Sequence, residues 1–164
     1  MVNQLVSSLV ESLRNIPPVL VIFIISMIPI LELRGGLIAA ALLKVPITTA
    51  VPVCLIGNLI PVPFILLFIT PIFTWMKKTK LFRPLVEKIE SKSLGKSDRI
   101  RKYEFWGLFL FVGIPLPGTG AWTGSLIAAL LDIDFKKAFP AVVLGLLLAT
   151  TIMCVFTYLI PALI

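Results

Sequence analysis

Two charged side chains interrupt the first long apolar stretch of this chain, and their types set the chemistry open to it. Within Pro29-Ile30-Leu31-Glu32-Leu33-Arg34-Gly35-Gly36, Glu32 and Arg34 are the only charges between Arg14 and Lys44. A carboxylate can carry a proton or hold a cation, and a guanidinium holds carboxylate or phosphate through two parallel hydrogen bonds. At membrane depth each charge is unfavourable by ~2.5 to 3.5 kcal/mol on insertion scales, so such groups persist in pairs or at functional sites. One reading is a buried ion pair that locks the segment. The other, adopted here, is a binding or proton-linked site, because apolar packing would make a simpler lock.

A second interruption supplies the complementary chemistry. Pro115-Leu116-Pro117-Gly118-Thr119-Gly120-Ala121-Trp122-Thr123-Gly124 is rich in Pro and Gly and precedes another apolar helix. A helix that begins there points free backbone N–H groups and the positive end of its dipole at membrane depth. Such an end accepts phosphate or carboxylate, with hydroxyls from Thr119 and Thr123 and the Arg34 guanidinium to strengthen the hold. The expected substrate-binding set is therefore Glu32, Arg34, Gly35, Gly36, Pro117, Gly118, Thr119, Gly120, Trp122, Thr123 and Gly124. Trp122 either shields a substrate or packs in the bundle.

Asn58, followed by Pro61 and Pro63, suggests a bent helix lining a cavity, or an amide that ties helices together. Asp132 and Asp134, beside Lys136 and Lys137, read as an interfacial turn and helix start, with proton entry at Asp132 as the lesser possibility. Asn58 and Asp132 are thus secondary site candidates. The chain contains no His, and Cys54 and Cys154 stand apart in apolar segments. No metal site or cofactor is expected, and any titration must use a carboxylate. No nucleophile, base and orienting group recur together, which argues against an enzyme.

The elements that hold these residues form a weak internal repeat. Phe23 to Phe68 returns 88 residues later as Phe111 to Phe156, pairing Pro29 with Pro117, Gly36 with Gly124, Ala50 with Ala138, Pro52 with Pro140 and Gly57 with Gly145. The run Ala40-Ala41-Leu42-Leu43 likewise returns as Ala128-Ala129-Leu130-Leu131. Matching Pro and Gly interruptions in two halves point to a transport site at the repeat interface.

The composition is that of an integral membrane protein: 59% of residues are hydrophobic, 14% are charged and mean hydropathy is +1.07. At 164 residues there is room for several membrane segments and no sizeable soluble domain. Ten of the fifteen Lys and Arg lie between Lys77 and Lys102, which marks that linker as cytoplasmic. Leu81, Phe82, Leu85, Val86 and Ile89 have helical spacing within it, so a basic amphipathic helix should rest there on anionic lipid. Leu5, Val6, Leu9, Val10 and Leu13 mark a short surface helix at the start, which does not read as a cleaved signal peptide.

The fold expected is one all-α membrane domain of two inverted repeats, about 17–75 and 105–160, joined by the basic linker 76–104. In each repeat a re-entrant hairpin (Pro17 to Leu31 with Gly35 to Lys44; Phe105 to Leu116 with Gly120 to Leu131) precedes one true crossing, about Ala50 to Trp75 and Ala138 to Ile160. Arg14 and Lys44 then lie outside, and Lys136 and Lys137 join the linker cations inside. The rival is a single long bent helix in place of each hairpin, which would make the repeats parallel. Short hairpins with polar tips would also favour a homodimer.

The pairing of the Pro29 to Gly36 stretch with the Pro115 to Gly124 stretch resembles the bacterial and archaeal family of small multidrug export proteins, over nearly the whole chain. The plan of two inverted repeats with re-entrant hairpins is more distantly similar to the DedA superfamily, some of whose members are implicated in returning undecaprenyl phosphate across the cytoplasmic membrane. The second resemblance implies a flippase for an anionic lipid phosphate, the first a proton-coupled exporter of lipophilic cations. The anion is the favoured expectation, since two hairpin breaks and an Arg suit it better. A non-transporting membrane scaffold is the remaining possibility. Membrane lipids are the expected partners in every case, and no nucleic acid is.

Overall fold

Prolines and paired glycines break the apolar sequence into short helices that fold back on one another. The computed structural model describes residues 2–13, 15–79, 82–94, 98–116 and 118–159. Its helices are α1 (Val2–Ser12), α2 (Pro18–Met27), α3 (Glu32–Leu42), α4 (Ile47–Leu59), α5 (Pro61–Lys77), α6 (Arg83–Leu94), α7 (Asp98–Gly113), α8 (Ala121–Leu130) and α9 (Phe135–Cys154), the last running into a π-helical turn at Val155–Leu159. No strand occurs among the described residues.

α2 and α3 form a hairpin. Pro18 opens α2 at a position where a missing N–H does no harm, and the chain turns over Ile28 to Leu31. The return is close because Gly36 has no side chain: a Cβ there would run into the Ser26 hydroxyl and sit 2.8 Å from Cys54 Sγ. α7 and α8 repeat the arrangement, with a Cβ on Gly124 falling 2.6 Å from Val112 and 3.2 Å from Leu108. Gly36 stands ten residues from Ser26 and Gly124 sixteen from Leu108, and contacts at such separations require the chain to double back, so neither pair is one long bent helix.

The two halves match in their turns as well as their helices. α3 ends with Lys44 at φ +56 and α8 ends with Asp132 at φ +53, 88 residues on. Val45 N–H donates to the Ala40 carbonyl and Ile133 N–H to the Ala128 carbonyl, again 88 apart. This left-handed closure satisfies carbonyls that a helix end would otherwise leave bare. Then Pro46 begins α4, and Asp134 begins α9 by accepting from Lys136 N–H.

Two stretches are long and apolar enough to cross a membrane, Ile47–Lys77 and Phe135–Thr157. The first keeps helical dihedrals through Ile60 (φ −52, ψ −47). It divides there because Pro61 and Pro63 have no N–H to continue the ladder. Only 33% of each span's most apolar window is buried within the protein. Phe64, Phe68, Trp75, Leu144, Leu147 and Phe156 lie exposed along them. A water-soluble fold buries such helices, whereas these face outward, as lipid requires. This is a membrane protein.

The remaining helices frame the core. Val6 of α1 is fully buried in the main apolar cluster. α6 buries Val86 while Phe82, Leu85, Arg83 and Lys88 stay exposed. α7 kinks at Glu104 (φ +37), between the charged linker and the apolar half that packs on α9. Arg14, Lys80, Leu81 and Lys96 lie outside the described residues.

Candidate functional site

Glu32 opens α3 in the left-handed region, at φ +50. A non-glycine residue held there stores about 1–3 kcal/mol and persists only where its surroundings fix it. Its carboxylate supplies the fixing. Oε1 accepts from Trp122 N–H (3.1 Å) and Oε2 from Ala121 N–H (3.3 Å), the first two amides of α8. α8 has no side chain of its own to cap it, since its N-cap is Gly120. The carboxylate that satisfies those amides and meets the positive helix end therefore comes from the other repeat. Glu32 is 5% exposed; a single chain covers it.

Gly120 makes this approach possible. Its φ is +135, and a Cβ on it would run into Oε2 and lie 2.7 Å from the carboxyl carbon of Glu32. In the repeat alignment Gly120 is the counterpart of Glu32, so these mates meet across the repeat interface.

Arg34, two residues on and on another side of the helix, reaches the same break. Nη1 donates to the Leu116 carbonyl at 2.6 Å and Nη2 to Thr119 Oγ1 at 3.0 Å. The loop receiving it is tightly made. Thr119 N–H donates to the Leu116 carbonyl (3.1 Å), Gly118 adopts φ +78, and the Thr119 hydroxyl lies 2.8 Å from both the Ile114 and Leu116 carbonyls. Leu-Pro-Gly-Thr is the sequence of a turn with Pro second and Gly third; Pro117 itself lies outside the described residues. The guanidinium spends its directed bonds on the loop rather than on Glu32, while the two opposite charges still act on each other. The pair is thus not a self-contained ion-pair lock.

Other polar groups around this junction are left without partners. Asn58 on α4 is fully buried with its side chain set toward the Glu32 carboxylate, although neither amide atom reaches full hydrogen-bond geometry with any partner. The indole N–H of Trp122 and the hydroxyl of Ser125 are buried and unpaired as well. Native interiors hold few such atoms, and each calls for a reason.

The sequence-derived set divides accordingly. Glu32, Arg34, Thr119, Gly120 and the Trp122 backbone meet directly, Asn58 stands beside them, and Gly118 shapes the turn. Gly35 and Gly36 face α2 and α4, and Gly124 faces α7, so these three serve helix packing. The Thr123 hydroxyl makes no hydrogen bond among the described residues, and its backbone belongs to α8. Asp132 is exposed at the far end of α8. Sequence reasoning missed the Leu116 carbonyl, which no side-chain pattern announces. It also passed over Ser125, whose repeat counterpart Leu37 is fully buried and could have signalled that the fold itself asks only for apolar volume there.

Fold and site define a small helical membrane protein in which a carboxylate and a guanidinium from one broken helix pair close onto the break of a second, repeat-related pair. Residues 32–152 match the model of the family described as "Putative small multi-drug export protein", and the chain belongs to that family. The match begins at Glu32 and takes in every residue of the junction. No curated protein and no solved structure matched the chain.

Proposed function

We propose that the protein is a transporter, not an enzyme, which carries an anionic lipid phosphate such as an undecaprenyl-phosphate-like carrier across a prokaryotic cytoplasmic membrane. One observation carries this reading: the first amides of α8 already hold an oxyanion, and that oxyanion is the protein's own Glu32. With Arg34 alongside, the junction is complementary to a carboxylate or phosphate. A substrate headgroup would take the place of Glu32 while its chains stay in lipid.

The finer architecture belongs to the same proposal. Helices of 10 to 11 residues such as α2, α3 and α8 reach only about 15 Å, half the ~30 Å hydrocarbon core. The two hairpins are accordingly read as re-entrant from opposite faces, their tips meeting near the midplane where Glu32 and Arg34 touch residues 116–122. The repeats are then inverted, with α4–α5 and α9 as the true crossings, Lys44 outside, and α6, Lys136 and Lys137 inside. Rocking one repeat against the other would expose the junction to each side in turn.

Export of lipophilic cations is the second reading, favoured by the description of the family. Electrostatics supports it less well: both oxygens of Glu32 are engaged by amides and Arg34 stands near, so a cation would enter a site already balanced against it.

The test is reconstitution in liposomes with a headgroup-labelled polyprenyl phosphate, following its movement between leaflets. Protein-dependent movement that is lost in Arg34→Ala supports the proposal. Absence of movement, together with a proton-driven flux of a lipophilic cation that needs Glu32, would transfer the case to drug export.

A further inference from the structure

Among the described residues three buried hydroxyls lie in helices, and Ser125 behaves unlike the other two. Ser26 and Thr150 each donate to the carbonyl one turn back, Ile22 and Leu146, at 2.7 Å. The exposed Ser12, Thr74 and Thr151 do the same. That local bond satisfies a hydroxyl in apolar surroundings without any tertiary partner. Ser125 has the Ala121 carbonyl in the same relation and does not use it, so its oxygen is buried without a partner. Its repeat counterpart is Leu37, fully buried in the apolar core. The fold thus accepts a wholly apolar side chain at this place. A buried hydroxyl that forgoes even the local bond answers to something outside the fold.

The indole N–H of Trp122, three residues earlier on the same stripe of α8, is buried and unpaired too. In the repeat alignment Trp122 stands where Arg34 stands in α3. The two donors therefore take corresponding positions just beyond the contact of Glu32 with Gly120, one in each half. Arg34 has its directed bonds on Leu116 and Thr119, whereas the indole has none. An indole N–H can only donate, so what it lacks is an acceptor and not a cation.

Both groups lie where an anion on α8 could use them. Helical side chains lean toward the N-terminus, so Ser125 covers the turn that Ala121 and Trp122 begin. The amides of that turn hold the Glu32 carboxylate. A carboxylate brings two oxygens, and here each is on an amide, which leaves the hydroxyl and the indole empty. A phosphate monoester brings three terminal oxygens, all strong acceptors.

We infer that Ser125 and the Trp122 indole are specificity groups for a phosphate monoester headgroup. When Glu32 leaves, two phosphate oxygens accept from the Ala121 and Trp122 amides, and the third accepts from the Ser125 hydroxyl and the indole N–H. No covalent bond is made or broken. The site so completed favours a phosphate over a carboxylate headgroup, which fills only the amides. The inference rests on the proposed anion transport and says which anion that site prefers.

The experiment compares two lipids of equal chain length, a polyprenyl phosphate and a polyprenyl carboxylate, in equilibrium binding to the full-length protein in nanodiscs. Glu32→Gln is the background, so that the resident charge does not compete. Ser125→Ala and Trp122→Phe should each weaken phosphate binding by about tenfold and change carboxylate binding by less than about twofold. Ser125→Thr, which keeps the hydroxyl, should retain the preference for phosphate. Ser125→Ala removes one oxygen and adds no volume, so it serves if the Trp122 variant does not fold. Equal losses for both lipids would mark the two residues as packing groups and overturn the inference, as would phosphate binding unchanged in both variants. Failure of the Glu32→Gln background to bind either lipid would remove the transport reading and this inference with it, whereas binding of both lipids without preference would overturn this inference alone.

Discussion

Glu32 and Gly120, counterparts in two repeats 88 residues apart, touch each other: the space a Gly120 side chain would need is filled by the Glu32 carboxylate. An aligned pair that meets in this way lies at the centre of the repeat interface. The asymmetry of the pair, a charge on one side and an empty α-carbon on the other, makes one carboxylate serve both halves. It fixes the left-handed start of α3 and caps α8 in a single contact.

Gly120→Ala should therefore be among the most damaging small substitutions in the chain. It combines a displaced carboxylate with a φ of +135 that alanine rarely adopts, and a loss of about 1–3 kcal/mol or more is expected. Thermal unfolding in nanodiscs, followed by tryptophan fluorescence, measures it. Adding Glu32→Ala to Gly120→Ala should recover the steric part, so the two losses should be less than additive. Strict additivity would show that the contact does not matter.

Arg34 should not be replaceable by lysine. Its fork spans the Leu116 carbonyl and Thr119 Oγ1, two points that a single ammonium cannot reach in the same plane. Arg34→Lys and Thr119→Val should each lower stability by about 1–3 kcal/mol, while Thr119→Ser, which keeps the hydroxyl, should cost less than half of that. Equal effects of the valine and serine variants would remove the hydroxyl from the account.

The equivalence of the two halves can be tested at a second matched pair. A Cβ on Gly57 would lie 2.8 Å from the Phe23 carbonyl, and one on Gly145 2.9 Å from the Phe109 carbonyl. Backbone does not yield as a side-chain tip does, so Gly57→Ala and Gly145→Ala should both destabilise, each by about 1–3 kcal/mol. A large effect at one and none at the other would argue that the repeats pack differently.

The fold was more legible in the sequence than the site. The shared Pro and Gly positions gave away the repeat, because turns and close helix contacts need those residues wherever they occur; Lys44 and Asp132 then fell on the same left-handed turn despite opposite charges. Glu32, Arg34 and the Gly118–Gly120 break were also visible, since charges and flexible backbone are conspicuous in apolar sequence. What could not be read was how they divide. That Glu32 would fill the α8 terminus expected to hold a substrate depends on a contact 89 residues long, and pattern carries no information about it. Gly36 and Gly124 looked like parts of the breaks but lie one turn inside their helices, where packing against α2 and α7 explains them.

Outside the junction, the charges of the linker helix should matter little to stability. Hydrogen bonding to Glu87, and then its charge, raises the Arg83 pKa above the ordinary guanidinium value. A raised pKa stabilises the fold fully below the unfolded value and loses that effect only as pH rises through the higher folded one, far into alkali. Both side chains are exposed, at 66% and 52%, so solvent and salt screen the pair. Glu87→Gln should leave thermal unfolding unchanged near neutral pH; a clear drop would mean that α6 is anchored through this pair.

The central claim is that Glu32 occupies an anion site, and equilibrium binding of a short-chain polyprenyl phosphate to the protein in nanodiscs tests it most directly. Glu32→Gln removes the resident charge while keeping the side chain's size. The account expects this variant to bind the phosphate at least about tenfold more tightly than wild type at neutral pH, a gain of about 1.4 kcal/mol, with little dependence on pH, and to lose that binding when Arg34→Ala is added. Binding that is no tighter in Glu32→Gln, or that survives the loss of Arg34, would contradict it.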